Sequence, residues 1–248
     1  CVINNEPDGV NINKDCGSTH IEQLQKFVIE SGADVGLAFD GDADRVLAVD
    51  ENGNMVDGDQ IMAIIGLELK KQGKLTNNTI VATVMSNLGL DIMAKREGIN
   101  IVKTKVGDRY VLENMLENGH VLGGEQSGHI IFLEHSTTGD GILTGAQLLN
   151  VVKSSGKKLS ELASIMQVLP QVLMNARVSN QNKEKYLEDE VICEMCKELE
   201  NEFRDEGRVL IRPSGTEPLV RVMIEGKDRD YIEKRALELV KVIEERLG

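Results

Sequence analysis

The chain has 248 residues, 41% of them hydrophobic, 28% charged and 3% aromatic, with no tryptophan and a formal net charge of -13. That composition suits a globular protein of two or three compact units whose cores rest on Val, Ile, Leu and Met. The acidic balance argues against nucleic acid or an anionic membrane as partner, but a local Arg/Lys cluster could still take an anionic substrate.

Residues 1 to about 55 read as strand, loop, helix, strand, loop, strand. Cys1-Val2-Ile3 reads as the end of a strand already in progress, so the chain is expected to be a piece of a longer polypeptide. Thr19 and Glu22 have capping-box spacing ahead of a helix that carries Ile21, Leu24, Phe27 and Val28 and ends near Ser31-Gly32. Asp50 to Gly53 reads as a turn between Val46–Val49 and Met55-Val56. From 57 to 168 strands and helices alternate: a helix after Asp59, a strand at Ile80–Val84, a helix ending before Gly98, a strand at Ile99–Val102 and a helix from Asp108 to Glu117. Strands at Val121-Leu122 and Ile130–Phe132 follow, then a helix opening near Asp140. This rhythm predicts an α/β fold with mixed, mostly parallel sheets and flanking helices. Near Pro170 the pattern changes to a smaller α+β unit: strands at Val172–Val178, Arg208–Ile211 and Val220–Ile224, and helices at Glu184–Phe203 and about 228–247. A boundary is expected at 168–172.

No apolar run approaches membrane-spanning length and no secretory signal is visible, so a cytoplasmic location is expected. Four cysteines fit a reducing compartment; Cys193 and Cys196 form a lone C-x-x-C inside a helical pattern and read as packing residues.

The strongest chemical signal is Ala38-Phe39-Asp40-Gly41-Asp42-Ala43-Asp44-Arg45. Asp40, Asp42 and Asp44 alternate directly after an apolar strand, and three like charges so close are costly unless a cation offsets them. Hard carboxylate oxygens suit Mg²⁺. A calcium loop is the competing reading: the three aspartates match its positions 1, 3 and 5 and Glu51 its position 12, but Arg45 stands where the loop needs glycine. A solvated acidic turn is the plainer alternative.

A second motif, Gly123-Gly124-Glu125-Gln126-Ser127-Gly128-His129, sets acceptors and donors on a glycine-freed backbone and suits sugar hydroxyls or an amine. A serine-hydrolase elbow needs a different glycine spacing; a plain glycine-rich hairpin remains open. A third, Arg212-Pro213-Ser214-Gly215-Thr216-Glu217-Pro218 followed by Arg221, can surround a phosphate, or simply join two strands rigidly. Lys103 to Arg109 opens a helix with cations nearby, a weaker anion signal.

Together AFDGDADR, GEQSGH with Thr137–Gly141, and RPSGTEP resemble the α-D-phosphohexomutase superfamily over essentially the whole chain. Gln126, the stretch from Pro7 to His20 and that from Ile211 to Gly226 are most similar to its bacterial branch acting on glucosamine phosphates. The resemblance implies the end of a metal-binding second domain at 1–56, a sugar-recognition third domain at 57–168 and a phosphate-binding fourth domain at 169–248. It implies an isomerase that interconverts glucosamine 6-phosphate and glucosamine 1-phosphate, towards cell-wall precursors, through a phosphoserine in a missing N-terminal domain. Neither Ser86 nor Ser136 sits in such a loop, so this stretch alone should be inactive. By the same resemblance, Mg²⁺ sits on Asp40, Asp42 and Asp44, and Arg45 steadies the serine phosphate. Glu125, Ser127 and His129 hold the sugar. Arg212, Ser214, Gly215 and Thr216, with Arg221 beside them, hold the phosphate not in transfer, and Lys105, Asp108 and Arg109 line the cleft. The partners implied are the phosphosugar and the missing domains, with no nucleic acid or membrane, and a homodimer is left open. Phosphomannomutase or phosphoglucomutase activity, a noncatalytic phosphosugar- or metal-binding module, and a phosphatase using Asp40 as nucleophile are the alternatives.

Overall fold

The computed structural model describes every residue except Asp205 and Thr216. The chain forms two compact units, Cys1–Gln167 and Val168–Gly248.

In the first unit, helix α1 (Glu22–Ser31) precedes an antiparallel sheet in the order β1 (Val35–Phe39), β2 (Val46–Asp50), β3 (Met55–Val56). Phe39 pairs with Val46 and Val35 with Asp50, so residues 40–45 form the loop of a hairpin. The expected strand at Cys1–Ile3 does not form: the segment is irregular, with Cys1 and Val2 exposed and Ile3 half-buried. The Thr19 cap does not form either; the helix starts after Ile21, without a side-chain cap. Residues 17–20 are already committed to a turn, in which His20 N–H bonds Gly17 O and Ser18 N–H bonds Phe39 O, pinning it to the end of β1.

Helix α2 (Gly58–Lys71) comes next, then β4 (Thr79–Thr83), α3 (Leu88–Glu97), β5 (Asn100–Thr104), α4 (Asp108–Asn118), β6 (Leu122–Gly124), β7 (Ile130–Phe132), α5 (Gly141–Ser155) and the short α6 (Leu159–Ala163). The four-stranded sheet runs β5-β4-β6-β7, with β4 parallel to β5 and β6, and β7 antiparallel to β6. Parallel pairing places the loops after β4, β5 and β6 at one edge. The chain leaves β4 for β5 on one side and β6 lies on the other, which makes a topological switch point, the usual crevice for a ligand in such sheets. From Gly58 to Gly66, α2 is buried on almost every side, as expected of a helix held between layers. Its Ile61, Met62 and Ile65 share one core with Val46 and Ala48 of β2, Ile80, Leu122 and Leu148. The strands before residue 57 and the αβ repeat after it are therefore one packed body.

The second unit is an antiparallel sheet, β8 (Gln171–Arg177), β10 (Leu219–Gly226), β9 (Gly207–Pro213) in that order, with α7 (Glu190–Phe203) and α8 (Arg229–Leu247) packed against it. Its core joins Ala176, Val220, Val222 and Ile224 to Ile192, Leu199, Ile232, Leu239 and Ile243. Helix α7 starts later than the sequence pattern suggests, because Asp189 accepts the Val191 and Ile192 N–H groups and caps it there. Burial pushes the Cys196 thiol up to about 11, with Cys193 and Glu200 adding to it, consistent with a packing role. No helix among the described residues is long and apolar enough to cross a membrane.

Candidate active site

The β1–β2 loop brings Asp40, Asp42 and Asp44 together, one oxygen from each lying within 4.8 Å of the others. Asp40 Oδ1 accepts the Arg45 N–H at 3.1 Å. The Arg45 guanidinium stands 3.7 Å from both Asp40 Oδ2 and Asp44 Oδ1. Asp44 Oδ1 is sealed from solvent and accepts no hydrogen bond. A desolvated carboxylate oxygen with no donor is expensive, and beside two more carboxylates it is what a hard cation would satisfy. The donor set fits Mg²⁺. Ala43 holds the loop in shape at φ +57, a left-handed conformation costly for a residue with a Cβ.

The glycine-rich loop is fastened directly to this hairpin. His129 Nδ1 lies 2.8 Å from Asp44 Oδ2, and Gly139 N–H donates to His129 Nε2 at 3.0 Å. The second bond makes Nε2 the acceptor, which places the proton on Nδ1, facing Asp44. The backbones of Arg45 and His129 form a β-bridge, and Val46 N–H donates to Gly128 O at 3.2 Å. Gly128 has φ +93, and a Cβ there would collide with the Val46 backbone, so glycine is required at this crossing. Gly141 N–H donates to Ala43 O at 2.9 Å. The Thr137–Gly141 stretch is thus the bolt behind both loops.

At the crevice edge, Glu125 Oε1 accepts the Gly107 N–H at 3.0 Å, linking the loops after β6 and β5. Asp108 Oδ2 lies 3.8 Å from His129 Nε2. Ser127 is exposed. Lys105 Nζ sits 5.9 Å from the centre of the Tyr110 ring. Arg109 is not drawn into the cluster: its side chain is 81% exposed and pairs with Glu113 at 2.8 Å along α4, and that bond holds its guanidinium above the usual value.

In the second unit, Arg212 on β9 and Arg221 on β10 are directly opposed partners. Burial, and then Arg221, lower the Arg212 pKa. Arg221 also lies 3.4 Å from Glu217 Oε2. Ser214 is buried: its Oγ accepts the Glu217 N–H and its own N–H donates to Leu219 O. It closes the loop, while Gly215 at the tip is exposed. Thr216 lies outside the described residues. Lys183, which the sequence reading missed, donates to Ser214 O at 2.9 Å and adds a third cation; nothing in its polar surroundings signals this. Asp57 was also missed, although Asp57-x-x-Gln60 is a capping-box spacing.

Models of three successive domains match the chain: the phosphoglucomutase/phosphomannomutase alpha/beta/alpha domain II over residues 3–53, domain III over 57–169 and the C-terminal domain over 173–242. The chain belongs to the phosphoglucomutase/phosphomannomutase family. Among curated proteins it is 75% identical over 247 residues to a phosphoglucosamine mutase of Ruminiclostridium cellulolyticum, spanning 100% of this chain and 55% of that protein. It is 64% identical over 243 residues to one from Thermoanaerobacter, spanning 98% and 54%. The chain thus spans about half the length of these relatives and corresponds to their C-terminal portion. Among solved structures, Aspergillus fumigatus N-acetylphosphoglucosamine mutase in complex with GlcNAc-6P and magnesium shares the fold, with a TM-score of 0.73 at 20% identity over 95% of this chain and 54% of that one.

Proposed function

We propose that this chain supplies the metal loop, the sugar loop and a phosphate cradle of a phosphoglucosamine mutase, which interconverts glucosamine 6-phosphate and glucosamine 1-phosphate in the cytoplasm for cell-wall precursors. The observation that carries the reading is the joint between His129 and Asp44. It makes the acidic loop and the glycine-rich loop one rigid piece, as a reaction needs when metal and sugar must hold register to within a fraction of an ångström. The relatives' names supply the amino sugar.

In this reading a phosphoserine, carried by the part of the relatives' length that the chain does not match, gives its phosphoryl group to a sugar hydroxyl. The serine Oγ–phosphorus bond breaks, the sugar oxygen–phosphorus bond forms, and the proton of the sugar hydroxyl ends on the serine Oγ. The bisphosphate turns round and returns its other phosphoryl group to the serine. Mg²⁺ held by Asp40, Asp42 and Asp44 would offset charge on the transferring group. Arg45 steadies the serine phosphate from beside two of those aspartates. Glu125 and Ser127 hold sugar hydroxyls or the amine, and His129 fixes the height of their loop. Asp108 and Lys105 line the crevice. Arg109 serves there only by leaving Glu113. Arg212, Arg221 and the Gly215 backbone bind the phosphate at rest, with Ser214 and Lys183 shaping their loop.

The test is turnover by the full-length protein, with Mg²⁺ and a trace of the hexosamine bisphosphate, on glucosamine, glucose and mannose phosphates. The highest kcat/KM should fall on glucosamine phosphate. Preference for mannose or glucose phosphate would reassign the substrate, and no isomerisation of any of them would overturn the reading.

A further inference from the structure

The first turn of α2 carries two carboxylates that the chemistry above leaves unused. Asp59 is fully buried and Asp57 is 6% exposed. Asp59 Oδ2 accepts the Asn87 N–H at 2.7 Å and anchors the loop after β4. Asp57 holds different partners. Its Oδ1 accepts the Gln60 N–H at 3.0 Å, closing the helix cap, and its Oδ2 accepts the Gln126 side-chain amide at 3.1 Å. The next residue, Gly58, donates its N–H to Gln126 O at 3.0 Å, and a Cβ at Gly58 would collide with the Glu125 carbonyl. Gln126 is therefore gripped by main chain and side chain together, between Glu125 and Ser127.

Capping alone does not explain this arrangement. Ser or Asn caps a helix about as well as Asp, and neither brings a buried charge next to a second carboxylate two residues on. Burial raises the Asp57 pKa, showing that the charged form is disfavoured there. What a carboxylate adds is a second acceptor oxygen, spent on Gln126. Because Oδ2 takes the Gln126 Nε2–H, it also fixes which end of the Gln126 amide turns inward.

We propose that Asp57 is a positioning residue for sugar recognition, holding the Glu125–Ser127 loop at working height through Gln126. This rests on the mutase reading above. The decisive variants are Asp57→Ser, which keeps a cap acceptor but is too short to reach Gln126, and Asp57→Asn, which keeps the cap and can bond Gln126 once that amide turns over.

In the full-length enzyme, Asp57→Ser should raise KM for glucosamine 6-phosphate about five- to fifteenfold, the loss of one hydrogen bond, with a smaller change in kcat. Asp57→Asn should recover most of that loss. Gln126→Ala should match Asp57→Ser, and the double variant should be no worse than either alone, as for residues acting as one unit. The Mg²⁺ concentration for half-activation should not move. A pure capping role predicts that Ser and Asn behave alike, with Tm and KM both near wild type; that result, or multiplying losses in the double variant, overturns the proposal. Should Asp57→Ser fail to fold, Gln126→Ala decides: wild-type KM refutes the role and a raised KM supports it. If the wild-type enzyme prefers another hexose phosphate, the substrate assignment fails and the same comparison is read on the sugar it does accept.

Discussion

The Asp40–Asp44 loop and the Arg212–Arg221 pair each gather like charges at the end of a hairpin, and they manage the repulsion by different means. The arginines face each other across two adjacent antiparallel strands, and their loop is closed from within by Ser214, Glu217 and Leu219. Apart from Lys183, the cradle is a local product of one hairpin. The aspartates instead depend on distant segments: His129 reaches Asp44 from 85 residues away, Gly139 fixes the histidine, and Gly141 holds Ala43. An anion cradle of paired cations can be preformed locally. An acidic loop that must keep its carboxylates aimed at one point needs a scaffold behind it.

The largest effect should come from Asp42→Asn, which removes a proposed metal oxygen. Mg²⁺ affinity of the full-length enzyme should fall roughly a hundredfold or more, since losing only an outer partner of a metal site already costs tenfold to a hundredfold. Thermal stability should hold or rise as like-charge repulsion is relieved. A drop in Tm with Mg²⁺ activation intact would show that the loop is structural and break the comparison from the acidic side.

Arg212→Ala attacks the other side. Losing a charge-assisted contact worth about 1.5–3 kcal/mol should weaken sugar-phosphate binding by roughly ten- to a hundredfold and leave Mg²⁺ affinity alone. If titration calorimetry found sugar-phosphate affinity unchanged, the arginine pair would be a strand feature and no cradle.

A third like-charge cluster, Asp57 and Asp59, sharpens the contrast because it is buried. Burial, with Asp57 adding to it, pushes the Asp59 carboxyl up to about 7. The folded state therefore holds a proton that the unfolded chain gives up in the ordinary carboxylate range, near 4. Between those values the folded state binds more protons, so this group's contribution to stability is full below about 4 and is lost as pH rises through about 7. Urea unfolding at stepped pH should show that fall, and Asp59→Asn should flatten it. An unchanged slope in the variant would mean that Asp59 titrates normally.

The smallest effect is expected at Ala43. Glycine there relieves a left-handed strain of about 1–2 kcal/mol but gains entropy in the unfolded chain, for a net stabilisation of roughly 0.5 kcal/mol. Ala43→Gly should raise Tm slightly while weakening Mg²⁺ activation, because the loop loses its stiffness. Lower stability would mean that the alanine methyl is packing and the strain argument is misplaced.

Most elements could be read from periodicity and punctuation. Asn118-Gly119 ends α4 and Asp228 opens α8, where local chemistry and tertiary context agree. The Thr19 cap failed because residues 17–20 were recruited by the end of β1, a contact that no local rule contains. Five-residue α6 is too short for a periodic signal. The alternation of strands and helices foretold a mixed sheet, but not that β1, β2 and β3 pair only antiparallel, because a strand's partner is set by the fold around it.

By itself the sequence determined the residue types of all three candidate loops, since aspartates at alternate positions, glycines flanking Glu, Ser and His, and prolines bracketing Ser-Gly-Thr carry their chemistry in a few adjacent residues. Only the tertiary structure decided how the first two loops are held: that His129 presents a proton to Asp44, that Asp57 reaches Gln126 across 69 residues, and that Arg109 turns to Glu113. Those outcomes depend on which strand ends share an edge and on which helix lies buried beneath them, and both follow from burying one core shared by the hairpin and the αβ repeat.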